Sequence, residues 1–435
     1  NAEVSGSNPE WPTISKNASR FSRGAGNEVP TTGVSTRWWV NWRNWGGVAA
    51  LVVAIVGAAS LSQATPRLAV FWLFGLSFGF IMQRSRFCFA AAFRNLFLLR
   101  DGRVMKGVLA GLAVATVGFA LVMYDLVPNN LDLGIRPFNA YVLPLGLHIL
   151  LAGVLFGVGM VVAGSCFPGA LWRIGEGYTT AVAILFSFLL GIGLFFYHWD
   201  WWWGSYISQM PYVWLPHSLG WAGALLLTFT VLAIGYLLIH WRESGVKSAA
   251  KPACTRWKIA TICHKLGGLK RGVFTRAWPI ALAGIILAVL NILLYLFERP
   301  WGTTGEVGRW SIGLLNLIQL PPPDITTLSE SCIAPTLDSG LLTWGLMLNG
   351  GMIFGGFIGA LLAGEFKIRL PRQKRRYLQA FAGGLLMGYG AGLAGGCAIG
   401  SFFSAVPSLG LNGFVFGGAL VVGAFLGVQV IKIIR

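Results

Sequence analysis

The sequence has few charged residues. Asp, Glu, Lys and Arg make up 11% of its 435 residues, whereas a soluble domain carries about 25%. Because a soluble chain of this length needs a charged surface around its core, the composition excludes a soluble globular protein. Hydrophobic residues make up 55% of the chain and occur in runs of roughly twenty, the length that crosses a bilayer as a helix. We therefore predict an all-α polytopic membrane protein with about 9–10 crossings.

Acidic residues are especially scarce, at 15 against 33 Lys and Arg, which gives a net charge of +18. In a soluble protein this excess would favour nucleic-acid binding. Here the cations mostly cluster between apolar runs, as they do in the cytoplasmic loops of membrane proteins. The charge is therefore interpreted as topology, without a nucleic-acid partner, and it weakly favours an anionic solute.

Several motifs are missing. The sequence contains no phosphate-binding loop of a nucleotide-driven motor, no CxxC and no Cys/His set at zinc spacing. We expect no cofactor, no resident metal and no enzymatic activity. Three of the six cysteines, Cys88, Cys166 and Cys397, lie within apolar runs without a nearby partner in sequence. The others lie in polar regions and are left out of the predicted site: Cys254, Cys263 and Cys332.

Glycine is abundant, and two glycine-rich segments surround Cys166 and Cys397. Placing cysteine on cysteine matches the two segments without a gap. The matched residues are Gly153, Gly157, Gly159, Ala163, Gly164, Cys166 and Gly169 in the first and Gly384, Gly388, Gly390, Ala394, Gly395, Cys397 and Gly400 in the second. Glycine lets helices approach closely and lets backbone bend where a helix breaks. We predict two related halves whose site is shaped by Gly164, Gly169, Gly395, Gly396 and Gly400. Helix packing alone is the alternative for the glycines.

The chain divides into four predicted regions. A polar N-terminal tail covers residues 1–44, and a first membrane half, residues 45–240, contains Cys88 and Cys166. A basic cytoplasmic loop follows at 241–276. The second membrane half, 277–435, contains Cys397 and a long external loop at 298–339.

Both halves contain a broken or re-entrant segment, since charges and glycines interrupt apolar runs near the cysteines. If each broken segment crosses the membrane once, every basic loop and both termini lie on the cytoplasmic side. The segment before Cys166 then enters from outside and the segment before Cys397 from inside. Such an inverted repeat places the substrate site near the membrane midplane, between broken helices.

Four charged residues lie next to these breaks. Arg84 and Arg86 either steer an anion toward Cys88 or extend their guanidinium groups to the membrane interface. Arg173 and Glu176 are three residues apart on a predicted helix, so we expect them to form a structural ion pair.

A thiol at a helix break suits a soft sulfur anion, because it is a weak, polarizable donor that holds an ion less tightly than a cation does. Helix N-termini beside each cysteine would add free N–H groups and partial positive charge. For a single buried cysteine, simple packing remains the alternative. The sequence leaves open whether these thiols react.

Four motifs resemble the YeeE/YedE family of membrane proteins. They are GFIMQRSRFCF at residues 79–89, AGSC at 163–166, WRIGEG at 172–177 and AGGC at 394–397. The likeness covers roughly residues 66–240 and 340–432. It implies thiosulfate uptake through an hourglass-shaped helical protein, in which three cysteines relay the anion by S–H hydrogen bonds. Carried over by motif, these are Cys88, Cys166 and Cys397. The resemblance also implies a small TusA-like sulfur-carrier partner.

The tail and the two long loops differ from compact members of this family. Aligning Gly351 and Gly355 with Gly75 and Gly79 puts Gly364 opposite Cys88, so a fourth cysteine is missing. We predict a permease for thiosulfate in the cytoplasmic (inner) membrane. The alternatives are a transporter of another sulfur or selenium species, a membrane enzyme that transfers persulfide sulfur, and a non-transporting accessory subunit.

Overall fold

A computed structural model of the chain describes residues 42–126, 140–244, 278–320 and 342–434. These residues are helical, and no strand longer than an isolated bridge occurs among them. The helices are α1 Trp42–Ala64, α2 Pro66–Ser85, α3 Phe89–Arg94, α4 Arg103–Leu126, α5 Leu147–Ala163, α6 Phe167–Glu176, α7 Thr179–Tyr197, α8 Trp199–Ser205, α9 Leu215–Ser244, α10 Ile280–Phe297, α11 Thr304–Leu317, α12 Trp344–Leu362, α13 Arg375–Leu393 and α14 Leu411–Ile434. A π-helical turn, Asn95–Leu99, continues α3, and another, Ala398–Ser404, follows α13. The all-α prediction is confirmed.

Nine helical segments of the described chain are long and apolar enough to cross a membrane. A tenth arises if α13 and its π-helical turn, bent by 51° at the break, make one crossing. Large apolar side chains on the flanks of these helices are exposed, for example Leu121 at 68% and Leu226 at 69%. Such exposure is favourable only against lipid. The protein is a multi-pass membrane protein, as predicted.

Counted with this tenth, the crossings of the described residues form two sets of five. Cys166 lies in the fourth crossing, formed by α5 and α6, and Cys397 lies in the ninth, formed by α13 and its turn. Because these two segments are five crossings apart in this count, they run in opposite directions through the membrane. The packing of the helices agrees with two related halves. Helix α2 packs on α12, and its counterpart contact is α4 on α10. Helix α5 packs on α14, and its counterpart contact is α7 on α13. If each crossing is exchanged with its counterpart five crossings away, the α2–α12 contact becomes the α10–α4 contact, and the α5–α14 contact becomes the α13–α7 contact.

Repeat glycines allow these helices to pack closely. A Cβ added at Gly157 would meet the Leu420 carbonyl of α14, and one at Gly388 would meet the Phe188 carbonyl of α7. Gly157 and Gly388 are matched positions of the two glycine-rich segments. These outlying glycines therefore serve helix packing, which leaves the residues nearest the cysteines to shape a site.

One predicted loop requires correction. Residues 304–317, assigned from sequence to the external loop at 298–339, form helix α11. Its buried residues include Val307 and Ile312 together with Glu306 and Ser311, so its mean hydropathy is too low to mark a membrane helix. Residues 1–41, 245–277 and 321–341 lie outside the described residues, and with them the predicted tail and most of the basic loop.

Candidate functional site

The three cysteines occupy equivalent local positions. Cys88, Cys166 and Cys397 are each the N-cap residue of the helical segment that follows a break, namely α3, α6 and the π-helical turn after α13. All three are free thiols with 0% exposure, and all belong to one continuous hydrophobic core. Because the first N–H groups of a helix have no partner within it, each thiol lies where an anion is favoured.

Cys88 and Cys166 form a contact that we call the thiol pair. Their sulfur atoms lie 3.6 Å apart, a distance for an S–H···S contact and far beyond the roughly 2.05 Å of a disulfide. Gly169, one helical turn after Cys166, packs against both side chains: a Cβ there would lie 3.0 Å from each sulfur. Two cysteines 78 positions apart in sequence are thus brought into direct contact.

Cys397 does not join this pair; it contacts a threonine instead. The Thr303 hydroxyl oxygen lies 3.2 Å from the Cys397 sulfur, and we call these two residues the hydroxyl–thiol pair. The Cys397 backbone N–H donates to the hydroxyl of Thr304 at 2.9 Å. Sequence reasoning missed both threonines, because residues 298–339 were assigned to a loop. An available signal was the position of Thr303 shortly after an apolar run, like that of Cys88.

The predicted supporting glycines fall into two groups. Gly164 and Gly395, at matched positions, both adopt left-handed backbone with φ of 77° and 61°, a conformation that glycine adopts at little cost. Each lies at the break between two helical segments, just before its cysteine. Gly400 packs on the ring of Tyr141, and Gly396 lies beside the Ser401 hydroxyl. Gly396 and Gly400 thus allow close packing around the start of the π-helical turn that follows Cys397.

A charged cluster lies at the far end of α6. The carboxylate of Glu176, with 0% exposure, accepts hydrogen bonds from Arg86 at 2.6 Å and from Arg369 at 2.8 Å. Glu365 accepts from Arg86 at 2.8 Å and from Arg84 at 3.3 Å. Three arginines thus share two carboxylates. Sequence reasoning missed Glu365 and Arg369.

The expected Arg173–Glu176 ion pair is wrong. Glu176 is bound by Arg86 and Arg369, which reach it from other segments. Arg173 turns the other way along α6: it donates to the Gly164 carbonyl at 3.0 Å and lies over the Trp172 ring at 5.1 Å. Its guanidinium therefore holds the break before Cys166 rather than the end of the helix.

Two indole donors in the core have no acceptor. The Nε1–H groups of Trp172 and Trp301 are buried without a hydrogen-bond partner among the described residues. Buried donors are rarely left unpaired. Trp172 lies on α6 after Cys166, and Trp301 lies two residues before Thr303. Within the described parts of the chain, no group of three or more His, Cys, Asp or Glu side chains is placed to hold a metal ion.

Comparison with known proteins gives the family of the chain. A family model described as "Sulphur transport" matches residues 84–426, most of the chain and all three cysteines. The chain belongs to this sulphur transport family. The YeeE/YedE resemblance is confirmed, and the family is one of transporters rather than enzymes.

Curated relatives include two proteins named thiosulfate transporter TsuA. The one from Spirochaeta thermophila is 32% identical over 357 residues, which cover 79% of this chain and 92% of the relative. The one from Escherichia coli is 26% identical over 336 residues, which cover 75% of this chain and 84% of the relative. A protein named probable transporter YedE, from Salmonella typhimurium, is 28% identical over 188 residues, 43% of this chain and 44% of its own.

Proposed function

We propose that this sulphur transport protein is a permease that imports thiosulfate across the cytoplasmic membrane. The observation that carries the proposal is the pair of buried sulfur-containing contacts, Cys88–Cys166 and Thr303–Cys397, each at the start of broken helices. The names of its relatives support thiosulfate as the first substrate to test. Each contact offers weak hydrogen-bond donors within an apolar core, so an anion would be bound there without being held tightly.

The chemistry of the two contacts suits thiosulfate. A thiol is a soft, weak donor that matches the polarizable terminal sulfur of the anion. Helix N-termini add N–H groups and partial positive charge. An anion therefore gains several weak hydrogen bonds and is released readily, as permeation requires. In this account Cys88, Cys166 and Cys397 pass thiosulfate along by S–H hydrogen bonds.

The charged cluster fits the inner end of this route. Helix α6 has ten residues and is therefore about 15 Å long, roughly half of a bilayer core of about 30 Å. With Cys166 at one end of α6 near the midplane, Glu176 and its arginines lie near the cytoplasmic face. This orientation follows the positive-inside rule, which also places both termini in the cytoplasm. Arg84 and Arg86 then attract the anion toward Cys88.

Uptake of radiolabelled thiosulfate into proteoliposomes tests this function. We expect uptake well above that of protein-free liposomes, competed by unlabelled thiosulfate but not by sulfate at the same concentration. Sulfate is the matched control, because it is a tetrahedral dianion that lacks the soft terminal sulfur. Equal competition by sulfate, or no uptake above the protein-free level, would contradict the proposal. Sulfite, sulfide and selenite in the same assay test the other sulfur and selenium species.

A sulfur-transfer mechanism is the second candidate, favoured by the contact between Cys88 and Cys166. One thiolate would attack the terminal sulfur of thiosulfate, break its S–S bond, release sulfite and become a persulfide. The second thiol would then attack the inner sulfur of that persulfide, release sulfide and leave a disulfide. This mechanism predicts a covalent sulfur adduct on a cysteine after exposure to thiosulfate, whereas a hydrogen-bond relay predicts none. Intact-protein mass spectrometry under non-reducing conditions separates the two. A TusA-like carrier on the cytoplasmic side is compatible with either route, and co-purification with such a carrier tests it.

A further inference from the structure

Thr303 occupies the position in the second half that Cys88 occupies in the first. Cys88 lies between α2 and α3 within the second crossing; Thr303 follows α10, the seventh crossing, and precedes α11. These crossings are five apart, as are those of Cys166 and Cys397. Both residues are N-caps of the helix that follows. Gly364, which sequence alignment placed opposite Cys88, instead follows α12, the eighth crossing.

Sequence comparison could not reveal this equivalence, because the halves differ in length. Cys88 and Cys166 are 78 positions apart, whereas Thr303 and Cys397 are 94 apart. The difference of 16 positions prevents a gapless alignment that includes both members of each contact. Only the order of the helices and the contacts between side chains identify the corresponding residue.

The break that carries Thr303 is held firmly by buried amide and hydroxyl groups. Asn291 accepts from the Trp301 backbone N–H at 2.7 Å, and Ser404 donates to the Trp301 carbonyl at 2.8 Å. Asn349 donates to the Thr303 carbonyl at 3.0 Å. Three helical segments, α10, α12 and the π-helical turn, thereby fix the backbone on both sides of Gly302. The Thr303 side chain is preorganised against Cys397 before any ligand arrives.

A hydroxyl in this position provides a donor that the thiol pair lacks. When the Cys397 thiol donates to the Thr303 oxygen, the hydroxyl hydrogen of Thr303 is left for a ligand. An O–H group is a stronger donor than S–H and matches the oxygen atoms of an anion better than its soft sulfur. Nearby, the buried Nε1–H of Trp301 also has no acceptor among the described residues. Two hydrogen-bond donors thus lie within three residues of each other at this break.

We propose that Thr303 is a fourth ligand-binding residue of the transport route, and that the hydroxyl–thiol pair binds an oxygen-bearing sulfur anion from the outer side. This inference rests on the proposed function and deepens it. The ion first meets the Thr303 hydroxyl and the Cys397 thiol, which suit its sulfonate oxygens and its sulfur respectively. It then moves to the all-sulfur pair of Cys88 and Cys166. Selection for anions with both oxygen and soft sulfur follows from passing both pairs.

The test compares three substitutions of Thr303 in proteoliposomes with equal amounts of protein. Thr303→Val keeps the shape but removes the hydroxyl, so thiosulfate uptake should fall at least about tenfold, as expected for a lost hydrogen bond to a charged ligand. Thr303→Ser keeps the hydroxyl and should retain most of the uptake, whereas Thr303→Cys keeps only the weaker S–H donor and should fall between Thr303→Ser and Thr303→Val. Thr228→Val is the control: Thr228 is equally buried, but its hydroxyl binds its own helix at the Ala224 carbonyl.

The outcomes separate this inference from the proposed function. Normal uptake by Thr303→Val, with uptake lost in Cys166→Ala and Cys397→Ala, overturns the role of Thr303 alone. Loss in all three Thr303 variants with unchanged melting temperature also overturns it, since the shape of Thr303 and not its donor would then matter. If Thr303→Val does not fold, an inactive but folded Thr303→Ser gives the same negative answer, since it keeps the hydroxyl. Absence of thiosulfate uptake in the unsubstituted protein overturns the proposed function, and this inference with it.

Discussion

Gly169→Ala is expected to lower thiosulfate uptake by at least about tenfold, because its Cβ occupies the contact between the two thiols. The added carbon would lie 3.0 Å from the sulfur atoms of Cys88 and Cys166 and 2.8 Å from the Ser165 hydroxyl. A carbon and a sulfur cannot approach so closely without displacement, so the thiols must move or the helix must shift. Uptake by the variant, at equal protein in the liposomes, measures the effect.

The expected loss runs against the usual effect of this substitution. Inside a helix, alanine is favoured over glycine by roughly 0.5–1 kcal/mol, so the same change stabilises a helix wherever the added Cβ meets no close neighbour. Gly418→Ala on α14 is the matched control, since a Cβ there meets nothing within 4 Å. We expect Gly418→Ala to have normal uptake and unchanged or greater stability. Full uptake by Gly169→Ala would show that the spacing of the thiol pair does not matter for transport.

Glu176→Gln should destabilise the protein by about 3–5 kcal/mol, the usual cost of removing one partner from a buried ion pair. The Glu176 carboxylate is fully buried and accepts from two arginines on separate segments. A neutral amide leaves Arg86 and Arg369 with less compensation, and its NH2 group donates where an acceptor is needed. The free energy of unfolding, measured by denaturant titration in detergent, reports the change.

A second glutamate provides the comparison. Glu298 pairs with Arg67, whose side chain is 58% exposed, so Glu298→Gln should cost no more than about 1 kcal/mol. If Glu176→Gln loses no more stability than Glu298→Gln, the charged cluster does not hold the end of α6. The remaining role of the cluster would then be to attract anions, as the sequence analysis suggested for Arg84 and Arg86.

Much of the fold could be predicted from the sequence, because membrane helices have a strong signal. Length and hydropathy were sufficient for the crossings. The direction assigned to them from the cationic loops stays a prediction. The gapless match around Cys166 and Cys397 predicted related halves, which the order and packing of the helices support. These features depend on local composition, which a single sequence displays directly.

Contacts between distant segments were the part that could not be predicted. Arg173 and Glu176 have the spacing of a helical ion pair, yet Glu176 is bound by Arg86 and Arg369, 90 and 193 positions away. The three arginines carry the same charge, so only the tertiary contacts determine which of them bind Glu176. Thr303 was missed for a related reason: α11 is buried against protein rather than lipid, so polar residues interrupt its apolar pattern.

The most direct test of the cysteine route is thiosulfate uptake by Cys166→Ala and Cys397→Ala in proteoliposomes. A variant in which Cys254, Cys263 and Cys332 are all serine serves as the control with unchanged site cysteines. The account predicts normal uptake in this control and a loss of at least about tenfold in each alanine variant, since one donor is removed from each contact. Uptake at the control level in both alanine variants would contradict a relay through these thiols.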